Sequence, residues 1–486
     1  MAAHPPGDTF YWHDYETTGI DLARDRPLQF AGLRTDLDLN PIGEPLTLFC
    51  QPATDMLPAP EACLITGITP QRARDEGVCE AEFIDRILAE LARPDTCALG
   101  YNTLRFDDEV TRHALYRNLH DPYAREWRDG NSRWDLIDLV RTIHALRPEG
   151  IEWPRREDGT PSFRLEELTA ANNLEHGPAH DALADVRGTL ALARLLRARQ
   201  PRLWDYLFNM RRKQVVWRLL DLDGMTPLVH VSGRYPAARG CLAVVAPVAR
   251  HPQNNNAVIV LDLAMDPACL DGLDSDAIAE RVFAAVDALP DGVERIPLKQ
   301  VKVNRCPVLA PLKVLRPDDA ARLGIDMASC ERHLETLRQQ PDLAQRVAAA
   351  FAPPGGPVPD DPDDQLYAGP FLGDDDRRRL AAVRMRPPTK LGDPLPSFDD
   401  PRLPEMVFRY GARNWPESLD ATARADWEAF RRLRLTDPVA SKGHTLPAYF
   451  SRIAELRSER VGEGRTTAVL DALEAWGREL EAGLID

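Results

Sequence analysis

A chain of 486 residues that is 44% hydrophobic and 28% charged reads as a globular protein, too long for one ordinary domain and unlike disordered or fibrous compositions. Its net charge of −16 argues against a uniformly basic coat for phosphates, although part of that acidity is concentrated in Asp360-Asp361-Pro362-Asp363-Asp364 and Asp374-Asp375-Asp376. The eight cysteines are scattered with no C-x-x-C pair, which speaks against a zinc or disulfide framework; no apolar run reaches ~18 residues and no basic, apolar leader opens the chain, so a cytoplasmic protein without a membrane span or signal peptide is expected.

In chain order, strands are predicted at 9–16, 28–35, 45–50 and 97–102, and helices at 80–92, 108–118, 134–146, 164–172 and 181–199. This alternation points to an α/β or α+β domain with a mixed central sheet over residues 1–200. Beyond Arg199-Gln200-Pro201 short β-like runs take over, at Pro227–Val231, Cys241–Val248, Ala257–Leu263, Ile296–Val303 and Pro307–Leu312, with a helical stretch at 275–288. They predict a small β-rich, barrel-like domain with helical additions over 201–352. Ala352-Pro353-Pro354-Gly355-Gly356-Pro357-Val358-Pro359 and the acids after it read as a linker, 353–365. From 366 to 486 the pattern is helical, at 376–384, 403–411, 419–433, 446–460 and 465–483. In the last of these Val469, Leu470, Leu473, Trp476, Leu480 and Leu484 recur at helical spacing and predict a core-facing stripe.

Chemistry enters at Phe10-Tyr11-Trp12-His13-Asp14-Tyr15-Glu16-Thr17-Thr18-Gly19, an aromatic strand running into a glycine-ended turn. Side chains alternate along a strand, so Asp14 and Glu16 share a face. Two carboxylates that close repel unless a cation joins them, and hard cations take oxygen ligands. A second acid, Asp107, lies where the apolar strand ending at Gly100 gives way to a helix; it could cap that helix or face a cleft. A third segment, Ala179-His180-Asp181-Ala182-Leu183-Ala184-Asp185, opens a helix whose first turns can aim His180 and Asp185 at one cleft, with Asp181 better read as the cap.

The order Asp14, Glu16, Asp107, His180, Asp185 resembles the DEDDh exonucleases of the ribonuclease H-like fold. The flanking text narrows this to bacterial exonuclease I. The segments that carry the resemblance are His13-Asp14-Tyr15-Glu16-Thr17, Leu64-Ile65-Thr66-Gly67-Ile68-Thr69-Pro70, Gly100-Tyr101-Asn102, Arg105-Phe106-Asp107-Asp108-Glu109-Val110, Asn131-Ser132-Arg133-Trp134-Asp135 and Leu146-Arg147-Pro148-Glu149-Gly150-Ile151. Leu228-Val229-His230-Val231-Ser232-Gly233 and Cys306-Pro307-Val308-Leu309-Ala310 extend it into the β-rich region, and Phe408-Arg409-Tyr410-Gly411-Ala412-Arg413-Asn414-Trp415-Pro416 is its best match near the C-terminus.

The resemblance implies a ribonuclease H-like exonuclease domain, an SH3-like domain and a helical domain that together degrade single-stranded DNA in the 3′→5′ direction to 5′-mononucleotides, in DNA repair and recombination. Hydrolysis would use two Mg²⁺ ions, with Mn²⁺ as a substitute, because paired metals can serve both the attacking and the leaving oxygen. Asp14 would bridge the ions, Glu16 and Asp185 would complete one shell, and Asp107 would support the other. His180, with an unperturbed pKa of roughly 6.5, would be the general base. Single strands are gripped by cations on phosphates and aromatics on bases; the positions that match nucleotide contacts, besides Glu16, are Thr17, Leu64, Arg112, Tyr123, Trp127, Arg141 and Arg164. Trp127 could instead be core, and Arg141 could pair with Asp138 along its helix. Tyr206, Arg316 and Arg338 match a pocket for the acidic C-terminal tail of single-stranded DNA-binding protein, with Thr226 standing where a lysine is expected. Nothing requires more than a monomer. The rival readings are a proofreading subunit, an oligoribonuclease-type enzyme, and a catalytically dead scaffold; the β-rich region weighs against the first two and the complete acid set against the third.

Overall fold

The computed structural model describes residues 8–174, 181–285, 288–352, 356, 358–441, 443–460 and 464–484. The chain divides into two compact units, one comprising Met1–Ser132, His176–Arg187 and Pro357–Asp486, the other Arg133–Glu175 and Gly188–Gly356.

The first unit is built on β1 (Thr9–Thr17), β2 (Pro27–Thr35), β3 (Leu46–Phe49) and β4 (Thr96–Leu99), with the two-residue β5 (Ser132–Arg133) completing the order β3-β2-β1-β4-β5. β1 runs antiparallel to β2 from Phe10↔Thr35 to Thr17↔Pro27, and parallel to β4 only over Thr9–Trp12. The sheet is therefore mixed, as expected. The part of β1 beyond Trp12 outruns β4, and it is this part that carries Asp14 and Glu16.

Helices α1 (Pro60–Thr66), α2 (Pro70–Glu76), α3 (Glu80–Leu91) and α4 (Asp107–Arg117) follow the strands. The last two bury Phe83, Ile84, Ile87, Leu91, Val110, Ala114 and Leu115 in one cluster with Tyr11, Tyr15 and Phe30. Tyr11 and Tyr15 share one face of β1 by the two-residue alternation, so Asp14 and Glu16 belong to the opposite face. α1 and α2 were not predicted. Each is seven residues long, too short for a helical period, though each starts at a proline. The motif Leu64–Pro70 is their junction: Gly67 ends α1 at φ 72°, a left-handed conformation suited to glycine, and the Thr69 side chain caps α2. Asn131 of another motif is structural as well, its Oδ1 accepting from Thr96 N (2.9 Å) and its Nδ2 donating to Leu91 O (3.2 Å).

The C-terminal helices of this unit include Asp374–Arg384, Leu403–Asn414, Ala421–Thr436, Leu446–Glu459 and Gly464–Ala482, close to the predicted spans. The stripe Val469, Leu470, Leu473, Trp476, Leu480 and Leu484 is buried with Cys63, Ile68 and Tyr449, as its spacing predicted. Fully buried side chains of this size stabilise by about 1.5–3 kcal/mol each. Two acids that follow the proline-rich segment are paired: buried Asp363 accepts from Arg413 (2.6 Å) and Arg409 (3.2 Å), and half-buried Asp361 from Arg434 (3.1 Å).

In the second unit the helices α5 (Leu136–Leu146), α6 (Leu165–Ala171) and most of α7 (Ala182–Arg199) accompany a second sheet. That sheet comprises β6 (Leu228–Val231), β7 (Leu242–Arg250), β8 (Ala257–Asp262), β9 (Leu298–Lys302) and β10 (Val308–Pro311), all antiparallel in the order β10-β6-β7-β8-β9. All five strands fall on predicted runs. Pro247 lacks an N–H, and the β7–β8 register shifts between Pro247 and Ala249. The end of this region is more helical than expected, with helices Pro317–Arg322, Met327–Arg338 and Leu343–Ala350.

Candidate active site

Asp14 and Glu16 project from the free end of β1, and Asp185 lies in the first turn of α7. One carboxylate oxygen of each lies within 4.8 Å of the others. The helix reaches this place because Asp181 caps it, accepting from Ala184 N at 3.0 Å while its carbonyl takes Asp185 N. Asp181 is thus the cap that the sequence indicated. Ala182 N lies 3.5 Å from Oε1 of Gln29, the β2 residue paired with Glu16, which ties the start of α7 to the same sheet edge.

Asp107 is neither a cap nor a member of the close trio. Phe106 occupies the N-cap position, and Asp107 Oδ1 accepts from Tyr15 N at 3.0 Å. β4 has stopped at Leu99, so no strand pairs with that stretch of β1 on this side, and a side chain takes the amide instead. The charge of Asp107 nonetheless acts on Asp14: burial first, then repulsion from Asp107, Glu16 and Asp185, holds the Asp14 carboxyl well above the usual carboxylate range. Burial, then the charges of Asp185 and Asp181, push Glu16 up to about 8.

Carboxylates that raise one another in this way repel, and a cation between them would relieve the repulsion. Three converging oxygen donors with no thiolate or imidazole among them suit a hard divalent cation. His180 lies outside the described residues.

Beside the acids, Thr17 is buried with its hydroxyl on Gly19 O (2.7 Å), and Thr18 O accepts from Ala59 N (2.7 Å) at the start of α1. Leu64 of α1 is half-buried against the core. In the same unit Trp127 is 65% exposed with Arg128 at 5.8 Å from its ring, so it is not a core residue. Tyr123 is half-buried and lies 5.5 Å from the Arg112 guanidinium. Arg112 itself is buried and engaged, donating to Glu126 (2.7 and 2.9 Å), Glu109 (2.8 Å) and the Tyr367 hydroxyl (3.0 Å).

Two aromatics that the sequence reading passed over join this group: Tyr367 (6.5 Å from Tyr123) and Phe371 (6.0 Å), the latter 82% exposed. They stand in Leu366-Tyr367-Ala368-Gly369-Pro370-Phe371-Leu372, an apolar stretch between acidic runs, without a period to mark it.

In the second unit Arg164 is exposed, 3.4 Å from Glu167. Arg141 donates to Asp138 at 3.0 Å, so the helix pairing considered for it does form. Tyr206 and Arg316 line one cavity of about 430 Å³ with Arg147, Arg202, Leu203, Leu207 and Val229. Arg147 and Arg202 add two cations that were not anticipated there. Arg338 is not in that lining; it donates to Gly224 O (2.6 Å), near Thr226, whose hydroxyl holds Asp221 (2.6 Å).

Residues 11–193 match a family described as Exonuclease, 211–353 the Exonuclease I SH3-like domain, and 360–480 the Exonuclease I C-terminal domain. Exodeoxyribonuclease I of Escherichia coli (strain K12) is 48% identical over 473 residues, covering 97% of this chain and 98% of the relative. Among solved structures, a moderately thermophilic exonuclease I from Methylocaldum szegediense is 52% identical with a TM-score of 0.94, over 98% of this chain and all of the other. E. coli exonuclease I in complex with a dA16 oligonucleotide is 48% identical, also at 0.94, with the same coverage.

Proposed function

The chain belongs to the exonuclease I family, and from that premise we propose that it is an exodeoxyribonuclease that degrades single-stranded DNA from its 3′ end to 5′-mononucleotides, in DNA repair and recombination. The observation that carries this reading is the convergence of Asp14, Glu16 and Asp185 within 4.8 Å. A domain division at 1–200, 201–352 and 366–486 with 353–365 as linker is part of this reading; the family matches at 11–193, 211–353 and 360–480 support three domains, the last beginning within that linker. No helix among the described residues is long and apolar enough to cross a membrane, and the cytoplasm is the proposed location.

Asp14, Glu16 and Asp185 are the residues that would hold divalent cations, with Mg²⁺ as the physiological ion and Mn²⁺ as a substitute. Bound there, the ions supply Lewis acidity that polarises a phosphodiester and lowers the pKa of water. The chain's own side chains do the rest. Asp107 fixes the end of β1 through Tyr15 N, and so sets where Asp14 and Glu16 stand. His180 takes the proton of the attacking water. Thr17 and Leu64 shape the pocket for the terminal nucleotide, which Glu16 and Arg164 also contact. Exposed Trp127 offers a stacking face for a base, and Arg141 a cation for the backbone. Arg112, held by two glutamates, acts by fixing Tyr123 beside it.

Single-stranded DNA-binding protein is the proposed partner, supported by a solved SSB/exonuclease I structure 46% identical to this chain. Its acidic tail would dock in the cavity of Tyr206, Arg316, Arg147 and Arg202, where apolar walls and guanidinium groups suit a hydrophobic segment ending in carboxylates. Arg338 would meet the tail outside that cavity.

The test is release of mononucleotides from a single strand with an accessible 3′ end, in Mg²⁺. The wild-type chain should release them, and Asp14→Ala should abolish turnover while retaining DNA binding. No release by the wild-type protein would remove the nuclease reading, and wild-type turnover by Asp14→Ala would remove Asp14 from the site.

A further inference from the structure

β6 ends at Val231, and the chain turns through Ser232 and Gly233, the end of a motif to which the reaction gives no role. The guanidinium of Arg141, on α5, lies against the bare Cα of Gly233. A Cβ built there would stand 2.9 Å from Cζ, 2.9 Å from Nη2 and 3.0 Å from Nη1. Nearly equal distances to three atoms of one plane mean that the flat face of the group, not an edge, is turned to the glycine. Gly233 is not among the residues with positive φ, so its backbone conformation is open to any residue. What excludes a side chain is the close approach of Arg141.

The same guanidinium is held at one edge by Asp138, with Nη1–Oδ1 at 3.0 Å, and its Nε is buried with no hydrogen-bond partner among the described residues. This largely buried pair holds the guanidinium by one edge only and leaves its plane free to swing about that contact. A planar seat under the guanidinium removes most of the remaining rotamer freedom before a ligand arrives, freedom that would otherwise be lost on binding.

We propose that Gly233 is a positioning residue for strand binding: its missing side chain seats the Arg141 guanidinium where it grips a backbone phosphate of the single strand. The proposal rests on the reading of Arg141 as a strand contact. The atoms that a methyl group would displace are the far end of a flexible side chain, so alanine at 233 moves the guanidinium and leaves the fold in place.

The experiment measures binding of the full-length protein to a single-stranded oligothymidylate over a salt series, with EDTA present so that nothing is cut. One phosphate contact on a single strand contributes about 0.7 to the slope of log affinity against log salt. Arg141→Ala and Gly233→Ala should each lower the slope by about that amount, and the double variant by no more than either alone. A wild-type slope in Gly233→Ala beside a lowered slope in Arg141→Ala overturns the seat, as does an additive loss in the double variant. An unchanged slope in Arg141→Ala overturns the strand-contact reading itself. Thermal melts accompany each variant: if Gly233→Ala lowers the melting temperature as much in the Arg141→Ala background as alone, the backbone needs the glycine and the proposal fails.

Discussion

Glu16→Gln should make the metal-free fold more stable, although it removes a proposed metal ligand. Glu16 is 8% exposed and holds its proton up to about 8, because burial and the charges of Asp185 and Asp181 oppose ionisation. In an unfolded chain the same group ionises near ~4.3. Below that value both states are protonated and the group is neutral for stability. From there to about 8 the native state binds more protons than the unfolded one, so stability falls as pH rises. At pH 7 the penalty reaches about 3–4 kcal/mol, and at pH 5 about 1 kcal/mol. Glutamine has the same shape and no charge to desolvate. Urea midpoints in EDTA should therefore favour the variant clearly at pH 7, and the advantage should shrink at pH 5. Added Mg²⁺ should raise the wild-type midpoint by mass action and narrow the gap. Equal midpoints at both pH values, or an advantage that grows towards acid, would refute the argument that these carboxylates are held together against their own repulsion.

Trp127 is 65% exposed, so Trp127→Ala should leave stability unchanged while weakening single-strand affinity by about 1–3 kcal/mol; unchanged affinity removes it from the track. Arg413 donates to buried Asp55 (2.9 Å) and Asp363 (2.6 Å), and Arg413→Ala should destabilise by about 3–5 kcal/mol in denaturant titrations, since buried Asp55 loses the guanidinium that pairs with it and Asp363 is left with Arg409 alone. Burial opposes ionisation of Asp55, but the charges of Arg413, Arg26 and Arg434 and the Arg413 hydrogen bond together outweigh it and hold the group at about 2. The stability it contributes is thus present above its unfolded value of ~3.9 and lost as pH falls through about 2, so acid unfolding should be less steep in the variant. Arg316→Ala should weaken binding of an acidic-tail peptide, read by fluorescence anisotropy, without changing mononucleotide release from free DNA. Equal losses in both assays would separate Arg316 from a docking role.

Strand alternation alone makes Asp14 and Glu16 co-facial, which is why half of the acid site was legible from ten residues. The stripe from Val469 to Leu484 was legible for the same kind of reason, a period that backbone geometry imposes. Asp107 stood at a junction where cap and cleft look alike in sequence. What decided it was β4 ending at Leu99 and leaving Tyr15 N to a side chain. Arg112 stood among the expected nucleotide contacts; that it is buried and meets Tyr367, 255 residues away, has no local signature. The stacking of Arg141 on Gly233 is of the same kind: glycine in a turn ordinarily suggests positive φ, and only packing makes close approach the reason here. The sequence by itself thus determined which residue types stand at which strand and helix positions, because periodicity, caps and breakers act over a few residues. The tertiary structure alone decided which carboxylates come within 4.8 Å and which arginines are seated or buried, because those distances depend on chain closure over long separations.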